Sequence, residues 1–213
     1  MLLKKWPILY IALIFTFAQC KSKTNSSKAE KDNTTAVPRV VATPEVPGLQ
    51  KAPIINIVDT TSDKQIFIYV KDTAASTAEI STALSEIYGS ILPAIIKTYK
   101  LKVTGPPIAL YKSLTAPYYF EAGFPIAQKP VKNIKGAMVK TIEGGKVVVA
   151  HFFGPYDITH MAYEAVDDYL KANKKKKLGQ PYEIYIGDPM DKQNKKIDPY
   201  KVQTDIVFPY VNN

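Results

Sequence analysis

Glu183 is the residue of this chain whose type and position point most directly to chemistry. It lies in a β-rich run from Tyr182 to Ile186, where burying a carboxylate costs free energy unless a partner satisfies it. A matching run 74 residues earlier carries Ala109 at the corresponding place. Because two copies of one unit have similar structural needs, a charge found in one copy alone favours a functional role.

An aromatic groove is easy to build around Glu183 in a chain with 14 Tyr and 8 Phe. A carboxylate among aromatic faces suits a cationic or aromatic ligand. We expect six aromatic residues to line this groove: Tyr185, Tyr111, Phe67, Tyr69, Phe152 and Tyr156. Two simpler interpretations stay open. Glu183 could be a surface residue on a half-exposed strand, and the tyrosines Tyr156, Tyr163 and Tyr169 could pack a helix.

Other chemistries find little support in the sequence. Cys20 is the only Cys, which excludes an internal disulfide and a multi-cysteine metal site. His151 and His160 are the only His and lack the spacing of paired metal ligands. There is no Ser/His/Asp set and no Gly-rich phosphate loop. We therefore expect no metal and no cofactor.

The formal charge of +9 raises the question of a nucleic-acid partner. Arg39 is the only Arg, so guanine readout by a bidentate side chain has almost no donor. Nothing in the sequence resembles a recognition helix. We expect no nucleic-acid partner.

An internal repeat defines the predicted architecture. The run Gly105–Tyr111 recurs as Gly179–Tyr185, and a second pair follows, Glu121–Pro125 and Asp205–Pro209. Each copy follows a strand-like run and then a helix-like run. Two copies are too few for a solenoid. We predict one α+β domain of duplicated β-α-β-β units, forming a pseudo-two-fold, mainly antiparallel sheet with two main helices packed on it.

Several local predictions follow from residue patterns. Pro93 should kink or divide the first long helix. Glu143–Lys146 lies between two strand-like runs and predicts a tight hairpin. Lys174–Lys177 is interpreted as the solvated C-terminal end of the second helix. Alternation puts Ile184 on the face opposite Glu183, and we expect that apolar face to pack under the helices.

The N-terminus has the pattern of an export signal. Lys4 and Lys5 precede an apolar run, Trp6–Ala18, that is shorter than the roughly 20 residues of a membrane-spanning helix. The run is followed by Gln19 and then Cys20, which resembles a bacterial lipoprotein signal whose Cys is lipidated. The alternatives are an uncleaved short anchor and a signal cut elsewhere.

These features divide the chain into three predicted parts. Residues 1–19 are a lipoprotein-type signal peptide, residues 20–52 a disordered tether rich in Lys, Ser, Thr, Asn and Pro, and residues 53–213 the folded domain. The expected location is the cell envelope, where a lipid anchor holds the protein to the periplasmic side of the outer membrane.

The folded part resembles the GyrI-like small-molecule-binding domain, which is also the effector-binding module of some AraC- and MerR-type regulators. Five segments in order carry this resemblance: Gly105–Tyr111, Glu143–Val147, Phe153–Tyr156, Pro181–Tyr185 with Asp188-Pro189, and Thr204–Pro209. The resemblance implies the same duplicated fold. It also implies that Glu183 corresponds to a glutamate that faces bound cations in several regulators, and that Asp205 occupies a position where the family often has Glu.

Together these observations give three functional hypotheses. The first is an exported, lipid-tethered protein that binds a small molecule without catalysis. The second is a hydrolase of small electrophiles, with Glu183 and a nearby Tyr as general acid and base. The third is an envelope interaction module with a vestigial groove. An exported protein cannot meet gyrase, so we expect no gyrase partner.

Overall fold

The computed structural model describes residues 51–193 and 195–212. The predicted signal peptide, Cys20 and nearly all of the predicted tether therefore lie outside the described residues. The described residues belong to one compact unit. Its strands are β1 (Ile54–Ser62), β2 (Gln65–Ala74), β3 (Ile108–Tyr111), β4 (Tyr118–Ile126), β5 (Met138–Ile142), β6 (Gly145–Phe153), β7 (Lys175–Lys177), β8 (Tyr182–Tyr185) and β9 (Gln203–Asn212). Its helices are α1 (Thr77–Glu86), α2 (Leu92–Thr98) and α3 (His160–Ala172), and none of these described helices has the length and hydropathy to cross a bilayer.

The strand order confirms the predicted α+β fold with its duplicated units. The sheet runs β1-β6-β9-β8-β3-β4-β2-β5, with β7 paired to β9, and every pairing is antiparallel. One unit is β2-α1-α2-β3-β4 and the other is β6-α3-β8-β9. They meet at the β3–β8 pair, so the order reads the same from either side of that pair.

The local two-fold axis passes between Ala109 and Glu183. These residues are repeat equivalents, and they also face each other in the β3–β8 ladder. Two residues further along each strand lie Tyr111 and Tyr185, which are also repeat equivalents. Their hydroxyls hydrogen-bond at 3.2 Å, although the two residues are 74 positions apart in the sequence. The repeat seen in sequence thus becomes a contact between its own two copies.

The helices cover the face of the sheet opposite to the one that the sequence pattern predicted. Ala109 and Tyr111 pack with Leu84 and Ile87 of the first helical region, while Ile108 and Ile184 pack on the other face. The prediction that Ile184 lies under a helix is therefore wrong. Both faces are buried, so alternation alone does not identify the face that carries the helices.

The helix-free face is buried because the sheet bends on itself. Ile142 of β5 and Val147 of β6 belong to one apolar cluster, although their strands are far apart in the sheet order. Only Glu143 and Gly144 separate β5 from β6, and β5 pairs with β2 while β6 pairs with β1 and β9. The predicted hairpin at Glu143–Lys146 is therefore wrong, and this link is a crossing between two parts of the curved sheet.

Local signals explain where the helices begin and end. Ser76 caps α1 by accepting a hydrogen bond from the Glu79 amide. A π-helical turn, Ile87–Ile91, separates α1 from α2 just before Pro93, which confirms the predicted division.

The prediction for Lys174–Lys177 is wrong, since α3 ends at Ala172 and Lys175–Lys177 form β7. Pairing with β9 supplies backbone hydrogen bonds there that a frayed helix end would lack.

Gly123 is the backbone position that the bent sheet constrains most, and its replacement tests this geometry. A Cβ at Gly123 would lie 1.9 Å from the Ile68 carbonyl oxygen and 2.8 Å from Tyr69 Cα. We expect Gly123→Ala to lower the free energy of unfolding by about 2–4 kcal/mol. Gly89→Ala is the control, because a Cβ at Gly89 meets nothing within 4 Å, and it should change stability by less than about 1 kcal/mol. Urea unfolding measures both, and equal effects would contradict the close approach.

Candidate functional site

Glu183 lies buried at the centre of the sheet. It is the second residue of β8 and points to the helix-bearing face, with only 3% of its surface exposed. The opposite position in the ladder is Ala109, which is fully buried and whose small side chain leaves room for the glutamate. The alternative of a surface glutamate on a half-exposed strand is therefore wrong.

Three tyrosine hydroxyls donate to this carboxylate. Oε2 accepts from Tyr156 at 2.5 Å and from Tyr185 at 2.8 Å, and Oε1 accepts from Tyr163 at 2.8 Å. Tyr185 comes from the same strand two residues on, Tyr156 from the turn before α3, and Tyr163 from the first turns of α3. Strand, turn and helix thus converge on one side chain.

Tyr111 completes the hydrogen-bonded network. Its hydroxyl lies 2.9 Å from that of Tyr156 and 3.2 Å from that of Tyr185, whose hydroxyls are 3.1 Å from each other. We call the four residues around Glu183 the tyrosine cage: Tyr111, Tyr156, Tyr163 and Tyr185. Three of these rings keep partial exposure while the carboxylate does not, so an approaching molecule would meet ring surfaces first.

Tyr88 packs against the cage from the π-helical turn. Its ring meets Tyr185 edge-on at 5.9 Å and Phe124 at 5.5 Å, and its hydroxyl donates to the Ile108 carbonyl at 2.8 Å. Its neighbour Gly89 is exposed. The π-helical turn therefore connects the cage to solvent through one aromatic ring.

Burial dominates the electrostatics of the site. Loss of hydration raises the pKa of Glu183 above its ordinary value, although the hydroxyls of Tyr156, Tyr185 and Tyr163 pull it down. Burial and the neighbouring carboxylate likewise raise the pKa of all four cage tyrosines, which keeps them protonated as donors at neutral pH.

The other buried carboxylates of the described residues have basic partners, and Glu183 does not. Glu121 is paired with Lys140 and, at 3.2 Å, with Lys112. Asp205 lies 2.7 Å from His151 Nδ1. Burial would raise the pKa of Glu121, but the hydrogen bonds of its two lysines outweigh it and the pKa is lowered. Glu183 is the buried acid whose neighbours are all neutral hydroxyls.

Three of the aromatic residues predicted to line the groove lie elsewhere. Phe67 and Tyr69 stack on each other at 5.4 Å on the helix-free face, because alternation along β2 turns them away from Glu183. Phe152 is on the helix-bearing face but packs in the cluster under α3, with strand β9 between its strand and β8. Among the predicted lining residues, the structure brings Tyr111, Tyr156 and Tyr185 to Glu183.

Tyr88 and Tyr163 join the site without having been predicted as ligand-binding residues. The sequence signal for Tyr163 was its helical spacing with Tyr156 and Tyr169. Tyr88 had no signal of its own, because a π-helical turn re-aims it relative to a regular helix. No group of three or more His, Cys, Asp or Glu side chains arranged for a metal occurs among the described residues.

The raised pKa of Glu183 predicts how stability depends on pH. A carboxyl whose pKa is higher in the folded state stabilises the fold fully below its unfolded pKa of about 4.5, and this contribution is lost as pH rises through the folded pKa. We expect the free energy of unfolding of wild type minus that of Glu183→Gln to fall as pH rises above about 4.5. Chemical unfolding at several pH values measures this difference.

The matched control is Glu121→Gln, for which the stability difference from wild type should change with pH in the opposite direction. The pKa of Glu121 is lowered in the fold, so its contribution is present above its unfolded pKa and is lost as pH falls. This variant should lose about 1–3 kcal/mol at pH 7 and less in acid. If the stability of wild type relative to Glu183→Gln increases with pH, the pKa of Glu183 is not raised in the fold and the prediction is wrong.

Comparison with solved structures relates the fold to known proteins. The crystal structure of the EcmrR C-terminal domain superposes with a TM-score of 0.63 at 18% sequence identity, covering 75% of this chain and 99% of that one. In the cryo-EM structure of an EcmrR–DNA complex, the same match covers 58% of the EcmrR chain. A protein from Listeria innocua described as a hydrolase has a TM-score of 0.51 at 13% identity, covering 73% of this chain and 91% of that one.

At these identities the structural similarities concern the fold alone. No curated protein sequence matches the chain. The family match, by contrast, is direct: the sequence pattern of the "GyrI-like small molecule binding domain" fits residues 60–211. This match covers well over half of the chain and contains every residue of the tyrosine cage. The chain belongs to the family of GyrI-like small-molecule-binding domains.

Proposed function

We propose that this protein binds a small cationic or aromatic molecule at the tyrosine cage, with Glu183 as the anionic anchor. The observation that carries the proposal is the pairing of buried acids: among the described residues, Glu121 and Asp205 have basic partners, whereas Glu183 has only hydroxyl donors. Hydroxyls satisfy hydrogen bonds but leave the charge uncompensated. A bound cation would supply the missing charge.

The surroundings of Glu183 favour an organic cation over a metal ion. Tyrosine rings offer their negative faces to an ammonium or phosphonium group and their edges to an aromatic substituent. Glu183 supplies two carboxylate oxygens, and the described residues contain no group of three or more His, Cys, Asp or Glu side chains that could hold a metal ion. The expected ligand is therefore bulky, apolar and singly charged.

Binding requires the cage to open, since Glu183 is 3% exposed. Tyr88 packs edge-on against Tyr185 beside the exposed Gly89 and Ser90, so displacement of its ring would uncover Tyr185. The energy of this opening reduces the measured affinity. Phe67, Tyr69 and Phe152 are not part of the proposed binding site.

A hydrolase is the second candidate. The contact between the Tyr156 hydroxyl and Glu183 joins a carboxyl of raised pKa to a phenol, which is a suitable pair for general acid–base catalysis on a small electrophile. The closed cage favours the third candidate, an interaction module with a vestigial site. The loss of turnover, as opposed to loss of binding, in Glu183→Gln would distinguish catalysis from simple binding.

The proposed cellular setting depends on the N-terminal sequence. We propose that residues 1–19 direct export, that Cys20 carries a lipid, and that residues 20–52 tether the domain to the periplasmic side of the outer membrane. The partners of the protein are then a small molecule and the membrane, with neither nucleic acid nor gyrase among them.

The anchor role of Glu183 predicts a selective loss of affinity. Glu183→Gln should weaken binding of a lipophilic cation such as tetraphenylphosphonium by roughly 1.5–3 kcal/mol, the value of a charge-assisted contact, and should weaken a neutral analogue of similar shape much less. Isothermal titration calorimetry measures both ligands. Tyr69→Phe is the control and should bind both as wild type does, because Tyr69 lies on the opposite face of the sheet. Equal affinity of wild type and Glu183→Gln for the cation would reject the anchor role.

Lipidation at Cys20 has its own test. Cys20 is the only Cys of the chain, so Cys20→Ser should abolish incorporation of a fatty-acid analogue during growth of a bacterial host. Metabolic labelling followed by gel fluorescence measures the incorporation. Equal label on wild type and Cys20→Ser would refute the anchor while leaving the ligand site unaffected.

A further inference from the structure

Helices α2 and α3 end in the same way. Tyr99 and Asn173 are their C-caps, and each is followed by a lysine with positive φ: Lys100 at 51° and Lys174 at 54°. These two lysines are repeat equivalents, as are Lys102 and Lys176 two residues later. A left-handed position after a helix normally favours Gly, so both copies keep a lysine at some cost in backbone energy.

Ion pairs neutralise three lysines at the second helix end. Lys175 lies 2.6 Å from Asp59, Lys177 pairs with Asp167, and Lys171 lies 3.5 Å from Asp168. These carboxylates come from β1 and α3. Lys174 and Lys176 take part in no ion pair among the described residues, but the acids beside them offset part of the positive charge of the lysine run.

The first copy has no such balance. From Ile87 to Ile142 the sequence holds eight lysines and one acid, Glu121, which is buried and already paired with Lys112 and Lys140. Six of these lysines take part in no ion pair among the described residues: Lys97, Lys100, Lys102, Lys129, Lys132 and Lys135. Positive charge thus accumulates at one place on the domain without compensation.

Three of these lysines, Lys100, Lys102 and Lys132, line a formed groove. Residues 99–102 make one wall, and residues 127, 128 and 130–132 make the other. They enclose about 470 Å³, and we call this the basic groove. The Ala127 amide donates to the Lys102 carbonyl at 2.9 Å, and the Lys135 amide donates to the Tyr99 hydroxyl at 3.0 Å. The walls are therefore held together by hydrogen bonds, and lysines from both walls line the space between them.

An apolar side chain stands at the rim of the basic groove. Val131 is 101% exposed and lies next to Lys132, and Leu101 and Pro130 add apolar surface to the lining. An exposed apolar residue surrounded by lysines is the arrangement with which proteins contact anionic lipid surfaces: the apolar side chain enters the interface while ammonium groups reach the phosphates. Nucleic acid would be served better by arginine, of which the folded part has none.

We infer that the basic groove and Val131 form a docking surface for an anionic lipid bilayer. This contact is separate from the tyrosine cage and does not depend on a lipid at Cys20. It would hold the domain against a membrane in one orientation, so that a molecule partitioned into the bilayer surface meets the protein at close range. Each lysine near the surface contributes through its attraction to the lipid phosphates.

The duplicated helix ends supply a matched test. Protein lacking residues 1–19, whose apolar run would itself bind vesicles, and carrying Cys20→Ser is sedimented with vesicles of phosphatidylcholine, alone or mixed with phosphatidylglycerol. Lys100→Gly with Lys102→Gln should lower the partition coefficient on the anionic vesicles by on the order of 10- to 30-fold. The equivalent pair, Lys174→Gly with Lys176→Gln, removes the same charge at the same backbone conformation and should lower it less than about 3-fold. Glycine suits the positive φ in both, so both variants should fold.

Insertion at the rim is measured separately. Val131→Cys in the Cys20→Ser protein accepts a polarity-sensitive dye, whose emission should shift to shorter wavelength on anionic vesicles and not on phosphatidylcholine. The same dye at Lys174→Cys should not respond. If both lysine-pair variants lose the same fraction of the partition coefficient, binding depends on net charge alone and the proposed docking surface is overturned. Equally tight binding to a DNA duplex that depends on Lys100 and Lys102 would also overturn it, since the groove would then be a nucleic-acid site.

Discussion

The pairing of β3 with β8 is the interaction on which the rest of this structure depends. It joins the two halves of the sheet and sets Ala109 directly opposite Glu183, on the local two-fold axis. Tyr111 and Tyr185 then meet across the axis. A shift of one residue in this register would turn Glu183 and Tyr185 to the face opposite Ala109 and Tyr111. The register therefore fixes the fold and the candidate site together.

The position on the axis also explains why the duplication is asymmetric at this point. Two glutamates facing each other in a buried ladder would place like charges side by side, which is destabilising. One carboxylate opposite an alanine avoids this repulsion and gains space for the hydroxyls of Tyr156 and Tyr163. The asymmetry of Ala109 and Glu183 thus has a packing reason as well as the proposed functional one.

At other equivalent positions, the two copies keep the same backbone structure but differ in the charged residues around it. Glu121 and Asp205 occupy equivalent places, opposite Leu110 and Ile184. Lys140, two strands away on β5, pairs with Glu121, and His151 of the neighbouring strand β6 contacts Asp205. The helix ends at Lys100 and Lys174 share a backbone conformation, yet acids pair with nearby lysines only at the second. Duplicated structure with divergent charge gives one domain a buried anionic centre and a basic outer surface.

The sequence by itself determined the repeat, the α+β class, the division of the first helix at Pro93 and the asymmetry between Ala109 and Glu183, because periodicity and residue type act locally or recur at a fixed separation. Tertiary structure decided which face carries the helices, since both faces are apolar where the sheet bends. It turned the predicted hairpin at Glu143–Lys146 into a crossing, and it excluded Phe67 and Phe152 from the cage while adding Tyr88 and Tyr163. Those outcomes depend on contacts between residues far apart in the chain, which neither alternation nor composition encodes.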